Sequence, residues 1–177
     1  MRVRETAEAA VETTTIRSAR PADRSAIESV LERTGAFSRE EIAVALELFD
    51  LSMSGRDPSY RFLCAENEGE LEGYVCFGEI PLTRGSFDLY WIAVDPRRAR
   101  RGTGRALVAR VLEQLRADGG RKVYVETSSR APYAAARAFY AGAGFTLATR
   151  LSDFYAPGDD KLVFELDAAR SPVSQVR

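Results

Sequence analysis

Apolar and polar positions along the chain change period several times, and each change marks an element. Leu89 to Val94 (LYWIAV) is a continuous apolar run, the pattern of a strand buried on both faces, and Asp95-Pro96 ends it because proline brings no N–H to a ladder. From Leu107 the period is helical, with Val108, Val111, Leu112 and Leu115 on one face, and Asp118-Gly119-Gly120 supplies a C-cap. Lys122 to Thr127 alternates, placing Val123, Val125 and Thr127 on one face and Tyr124 and Glu126 on the other. An alanine-rich helix opens at Pro132 and closes at Gly142 or Gly144. Phe145 to Thr149 and Lys161 to Leu166 read as strands, with a loop at Ser152 to Asp159 between them.

Upstream, Thr13 to Ser18 is a short strand. Pro21 and Asp23 open a helix whose apolar face is Ala26, Ile27, Val30 and Leu31, closed by Gly35. Ser38, with Glu41 three residues on, is a capping box, and the helix it opens presents Ile42, Ala45, Leu46 and Phe49. Gly55 to Ser59 is a loop. Arg61–Ala65 and Leu71–Phe77 are strands joined by a hairpin turn at Asn67-Glu68-Gly69. Pairing symmetric about Glu68 sets Glu72 opposite Cys64 and Tyr60 opposite Cys76, so both cysteines are expected to be reduced core thiols. Pro81 to Gly85 connects to the apolar strand. The element order, strand–helix–helix–three strands–helix–strand–helix–two strands, calls for parallel pairing around the later helices and antiparallel pairing elsewhere. The expected fold is α/β, a mixed sheet with helices on both faces, in one domain over residues 13–167 between flexible tails at 1–12 and 168–177.

Composition changes this picture little. The 177 residues are 45% hydrophobic and 29% charged, as in globular domains, and the net charge of −1 gives no bias toward nucleic acid or membranes. No apolar run nears the roughly 20 residues of a membrane span, and the N-terminus lacks the apolar core of a signal peptide, so the expected location is cytoplasmic. Histidine is absent, which removes His triads, imidazole bases and His metal sites; no metal is expected.

Against that neutral background one stretch is concentrated. Arg97, Arg98, Arg100 and Arg101 are followed by Gly102-Thr103-Gly104 and a helix start. Glycine lets backbone approach a ligand, and the unpaired N–H groups of a helix start take a phosphate or pyrophosphate. A solvated basic turn is the plainer reading of such a run, but its place between a buried strand and a helix favours phosphate. No lysine and hydroxyl follow Gly104 as a P-loop requires. Glu126, about 20 residues beyond the glycines, suits a dinucleotide fold. Yet GTGRAL lacks the third glycine, and seven residues separate Val94 from Gly102, so that reading is set aside. Nucleic-acid binding is disfavoured by the neutral charge and the lack of interleaved aromatics.

LYWIAVDPRRARRGTGRAL followed by VYVETSS and YAAARAFYAGAGF resembles the acetyl-CoA-binding core of the GNAT superfamily of N-acetyltransferases, over roughly residues 86–167. The resemblance implies a mostly antiparallel sheet with a central parallel strand pair. It implies acetyl-CoA as co-substrate and acetyl transfer to a primary amine, of a small molecule or a peptide, by direct attack in a ternary complex, from a monomer or homodimer. Ile92, Ala93 and Val94 would line the pantetheine arm, with a backbone N–H near Ala93 or Val94 as oxyanion donor. Arg101, Gly102, Thr103, Gly104, Arg105 and Ala106 would wrap the pyrophosphate, with Arg100, Tyr133, Arg137 and Tyr140 also at the CoA site. Two positions depart from the family pattern: Ala99 stands where a Gln or Arg is usual, and Tyr133 where an asparagine is common.

The tyrosine of F-Y-x-x-x-G-F, Tyr140, would be the acid that protonates the leaving thiolate; a tyrosine pKa of about 10 lies above a thiol's roughly 8.5. The amine needs a base, and without histidine carboxylates are the candidates. Glu126, expected on a buried strand where its pKa would rise, holds the position of the base in the branch that acetylates protein N-termini. Asp88 lies five residues before Ala93, where the histone-acetylating branch carries its base, and Glu79 is a third candidate. Glu40, Glu41, Glu47, Asp153, Asp159 and Asp160 would suit a cationic acceptor. The rival class is a non-catalytic acyl-CoA-binding module, which needs the turn but neither Tyr140 nor a carboxylate.

Overall fold

The computed structural model describes residues 14–169; the expected tail at 1–12, Thr13 and residues 170–177 lie outside them. Seven strands form one sheet among the described residues: β1 (Thr15–Ser18), β2 (Arg61–Asn67), β3 (Glu70–Glu79), β4 (Ser86–Val94), β5 (Lys122–Ser128), β6 (Thr146–Ala156) and β7 (Asp159–Asp167). Their spatial order is β1-β2-β3-β4-β5-β7-β6, and only β4 and β5 run parallel. Four α-helices accompany them: α1 (Arg24–Thr34), α2 (Arg39–Met53), α3 (Thr103–Ala117) and α4 (Ala134–Gly142).

The sheet separates two cores. One holds Ile27, Val30 and Leu31 of α1 and Ala45, Leu46 and Phe49 of α2 against Phe62, Cys64, Tyr74 and Cys76. The other holds Leu107, Val108, Val111, Leu112 and Leu115 of α3 and Tyr140 of α4 against Val75, Phe77, Val123, Val125 and Phe164. The apolar faces expected of α1, α2 and α3 are thus the buried ones, and helices cover both sides. Ser38 and Glu41 make both bonds of the capping box at the start of α2.

Several boundaries differ from the sequence reading. α3 begins at Thr103, a turn before Leu107, because the glycine turn is itself the helix start. The β2–β3 hairpin closes on Glu68-Gly69 alone, at φ 50° and 82°, a two-residue turn in which both residues take the left-handed region. A bulge at Ala65/Glu66 then shifts the register, so Cys64 faces Tyr74 and Cys76 faces Phe62, not Glu72 and Tyr60. Both thiols are buried and unbridged. The stretch read as a loop at Ser152 to Asp159 is strand: β6 runs to Ala156 and β7 starts at Asp159. Every β6 residue is exposed, so no apolar period announced it. Ala168, assigned to a tail, is buried, and its N–H donates to the Arg121 carbonyl at 2.8 Å.

Two irregularities of β4 open the middle of the sheet. Its register against β3 steps from Cys76↔Trp91 to Phe77↔Leu89, leaving Tyr90 as an extra residue. Phe87 and Leu89 therefore face the α3 core, while Tyr90, Trp91 and Ala93 turn toward α1 and α2. The β4–β5 ladder is also short, Ser86↔Lys122, Phe87↔Val123 and Asp88↔Tyr124. Beyond it β4 stays with β3 to Val94 and β5 with β7 to Ser128, so the parallel strands splay and leave a gap between Leu89–Val94 and Val125–Ser128.

Candidate active site

At one mouth of the gap stands the basic turn. Asp95 caps a short 3-10 turn, Pro96–Arg98, through the Arg97 N–H at 2.9 Å, and the chain passes Arg100 at φ 64° and Gly102 at φ 88° into α3. That positive φ costs glycine nothing. The Ala106 N–H already donates to the Gly102 carbonyl, which leaves the Thr103, Gly104 and Arg105 N–H groups as the unpaired donors of a helix start. A Cβ on Gly104 would lie 2.9 Å from the Phe139 ring and 3.6 Å from Val94, so the turn, the end of β4 and α4 meet at this glycine. The donor set, the open backbone edge of β4 and the glycines suit a pyrophosphate with an extended arm running into the gap.

The arginine run divides between two tasks. Arg97 and Arg33 of α1 both hold Asp95, which is 1% exposed; its carboxyl is lowered to about 2, first by the hydrogen bond from Arg97. Arg98 reaches Glu72 of β3, also 1% exposed, which accepts from Thr14 Oγ1 at 2.8 Å, Asn67 Nδ2 at 3.3 Å and Thr103 Oγ1 at 3.3 Å. Half of the run thus ties the turn to the sheet through two buried carboxylates, and Arg100, Arg101 and Arg105 lie exposed at its rim. Sequence reasoning missed Glu72 and Arg33, since nothing local marks a strand carboxylate or a helix-end arginine as an anchor.

At the other mouth, on the α1–α2 side, are carboxylates and aromatic rings. Asp88, the last β4 residue paired with β5, is half-buried, and its carboxyl is raised by burial first and then by the charge of Glu126, against the cation of Lys161. Glu126 corrects the expectation of burial: its side chain is 55% exposed and ion-paired to Lys161 of β7. The hairpin following β5 brings this lysine over, so its effect could not be read from β5 alone. Lys161 Nζ also sits 4.8 Å from the centre of the Phe154 ring, which packs edge-on against Tyr155. The Tyr155 phenol is pushed up to about 12 by burial and then by the charge of Glu126. Tyr90, the bulged residue, packs 5.1 Å from Tyr60, its phenol raised to about 12 by burial and next by Asp88. Phe154, Tyr155, Tyr90 and Lys161 were missed as well; the one signal available was that Lys161 is one of only two lysines, with Lys122.

The remaining candidates scatter. Tyr140 is 7% exposed among Phe139, Phe145 and Phe164, its phenol raised to about 12 by burial. Tyr133 donates its hydroxyl to Glu41 of α2 at 3.1 Å. Arg137 donates to the carbonyls of Ser128 and Arg130, both at 2.8 Å, joining α4 to the end of β5. Glu79 lines a separate cavity of about 560 Å³ with Ser59, Arg61, Pro81, Phe87 and Asp118, at the paired end of β4. Of the acidic residues named for a cationic acceptor, Asp160 is paired to Arg150, Asp159 accepts from Ser128 at 2.5 Å, Asp153 accepts from the Gly158 N–H, and Glu41 serves the capping box. Their carboxylates are occupied within the fold; Glu40 and Glu47 stay exposed on α2.

Residues 25–145 match the model of the Acetyltransferase (GNAT) family. A GNAT-family structure from Desulfovibrio desulfuricans superposes with a TM-score of 0.84 at 42% identity, over 88% of this chain and 99% of that one. The ribosomal-protein-S18-alanine N-acetyltransferase structure from Escherichia coli superposes at 0.70 with 24% identity, over 92% and 98%. By sequence, the [Ribosomal protein bS18]-alanine N-acetyltransferase of Escherichia coli K12 is 38% identical over 73 residues, 41% of this chain, and the chain spans about half (48%) of that relative's length. The chain belongs to the GNAT acetyltransferase family, which uses acetyl-CoA.

Proposed function

We propose that the protein transfers the acetyl group of acetyl-CoA to a primary amine by direct attack within a ternary complex. The observation that carries this reading is the splayed β4–β5 pair, whose gap opens on one side to the α3 N-terminus and on the other to Asp88 and Glu126. The N–H groups of Thr103, Gly104 and Arg105 hold the pyrophosphate, and the backbone of Ile92, Ala93 and Val94 pairs with the pantetheine arm. Glu126, exposed to the gap, takes the proton of the incoming ammonium. Asp88 beside it is the second carboxylate, raised by its own burial and then by the charge of Glu126. A β4 N–H near Ala93 or Val94 stabilises the oxyanion, and Tyr140 protonates the leaving thiolate.

The relatives named as ribosomal-protein-S18-alanine N-acetyltransferases make peptides with an N-terminal alanine the first acceptors to offer. The test follows free thiol released from acetyl-CoA across such peptides, polyamines and aminoglycosides. Release that depends on an amine and falls in Glu126→Gln supports the reading. Tight acetyl-CoA binding with no amine-dependent release from any acceptor replaces it with a binding module.

A further inference from the structure

Only two lysines occur in the chain, Lys122 and Lys161; its other basic side chains are arginines, which stay protonated and do not attack thioesters. The two lysines share one kind of partner and differ in place. Each ammonium is held by a glutamate: Lys122 by Glu165 at 3.1 Å and Lys161 by Glu126. Lys122 lies at the closed end of the parallel pair, opposite Ser86. Lys161 lies where the gap opens, with its ammonium on Glu126, over the Phe154 ring and within the field of Asp88. A base must stand within hydrogen-bond reach of the amine it deprotonates. Among the described residues, the amine in that place on Glu126 is Lys161 Nζ.

We infer that Lys161 is an intramolecular acceptor, and that acetyl-CoA alone leads the protein to acetylate its own Lys161. This rests on the reading of Glu126 as base given above. The Lys161 ammonium passes one proton to Glu126. Its nitrogen then attacks the thioester carbonyl carbon, forming the N–C bond as the C–S bond breaks. Of the two protons the nitrogen loses, one ends on the thiol sulfur and the other in solvent, so ammonium and thioester become amide and thiol with one proton released. Phe154 and Glu126 fit this role because a ring face and a carboxylate hold an ammonium in place without a covalent tie. Burial argues against plain chemical acetylation as the source of such a mark. The Lys161 side chain is 19% exposed and that of Lys122 is 34%, so a reaction in free solution favours Lys122.

The test incubates the full chain with acetyl-CoA and no acceptor, then maps acetyl groups by mass spectrometry. The expected result is one acetyl group at Lys161, with Lys122 unmodified as internal control, at a rate constant independent of protein concentration. K161R carries no label in the mapped segment, and E126Q labels roughly 100-fold more slowly, the loss typical of a missing base. Equal labelling of both lysines, a rate that rises with protein concentration, or full labelling in E126Q overturns the inference. So does an unlabelled Lys161 in wild-type protein that acetylates an external amine, a result that leaves the proposed function standing. A preparation that acetylates neither an external amine nor Lys161 overturns both.

Discussion

At the scale of single residues, burial shifts Tyr140 and Asp88 in the same direction with opposite chemical consequences. A phenol raised to about 12 stays protonated throughout the working range and serves as a donor; a carboxyl raised above its usual range becomes a stronger base. Tyr140→Phe removes one hydroxyl and leaves the ring among Phe139, Phe145 and Phe164. We expect calorimetry to find acetyl-CoA affinity nearly unchanged while turnover falls by about 10²–10⁴-fold; wild-type turnover would remove Tyr140 from the acid role. For Asp88 the sign follows from its neighbours. A base works ionised, so the rate rises with pH through its pKa. Glu126→Gln deletes a charge that raises Asp88, so the acidic limb of the kcat/KM profile for the remaining rate should move to lower pH. Adding Lys161→Met to that variant deletes the cation that opposes the rise, and the limb should move back up. Limbs that stay in place in both variants would mean that Asp88 is not the group observed.

At the scale of elements, the turn from Asp95 to Gly104 is held as a unit, and its pieces make separate predictions. Gly102→Val forces a β-branched residue to φ 88°, and Gly104→Val drives side chain into Phe139 and Val94. The pair should abolish acetyl-CoA binding with the circular-dichroism spectrum kept; unchanged affinity would place the donor elsewhere. Asp95 is held at about 2 against an ordinary 3.8, so its stabilising share is present above about pH 4 and lost as pH falls through 2. Asp95→Asn should therefore flatten the acid limb of the stability curve in that window. The same elements show what the chain makes legible. α1, α2, α3 and β5 were readable because one face of each is apolar at its own period. β6 was readable only over Thr146–Thr149, since both of its faces are exposed, and the bulge at Tyr90, which turns Trp91 away from the side of Leu89, leaves no mark in a run that is apolar throughout. The turn could be placed from its glycines and arginines. That Arg97 and Arg98 bend inward to Asp95 and Glu72, and that Lys161 reaches Glu126, depends on strands distant in sequence.

At the scale of the whole molecule, a net charge of −1 offers an anionic ligand no general attraction, so the proposed hold on pyrophosphate depends on the local field of the turn. That field is weaker than the run of arginines suggests. Arg97 is matched by buried Asp95 and Arg98 by buried Glu72, whereas Arg100 and Arg105 lie exposed around the unpaired N–H groups of α3. Exposed charges are screened beyond about 8 Å at physiological ionic strength, while backbone donors at hydrogen-bond distance are not. Acetyl-CoA affinity should therefore fall with added salt along a shallow slope and persist at high salt. Arg100→Ala and Arg105→Ala should flatten that slope. Arg97→Ala should leave it in place and lower the thermal midpoint of unfolding, because it loosens the clamp on Asp95. Duplex DNA, which needs several unmatched cations in register with its phosphates, should not bind at physiological salt. Titrations of acetyl-CoA and of a DNA duplex at several ionic strengths decide the matter. A slope that Arg97→Ala flattens as much as Arg100→Ala would show that the buried carboxylates do not neutralise the inner arginines, and DNA binding that survives physiological salt would make the turn a nucleic-acid surface after all.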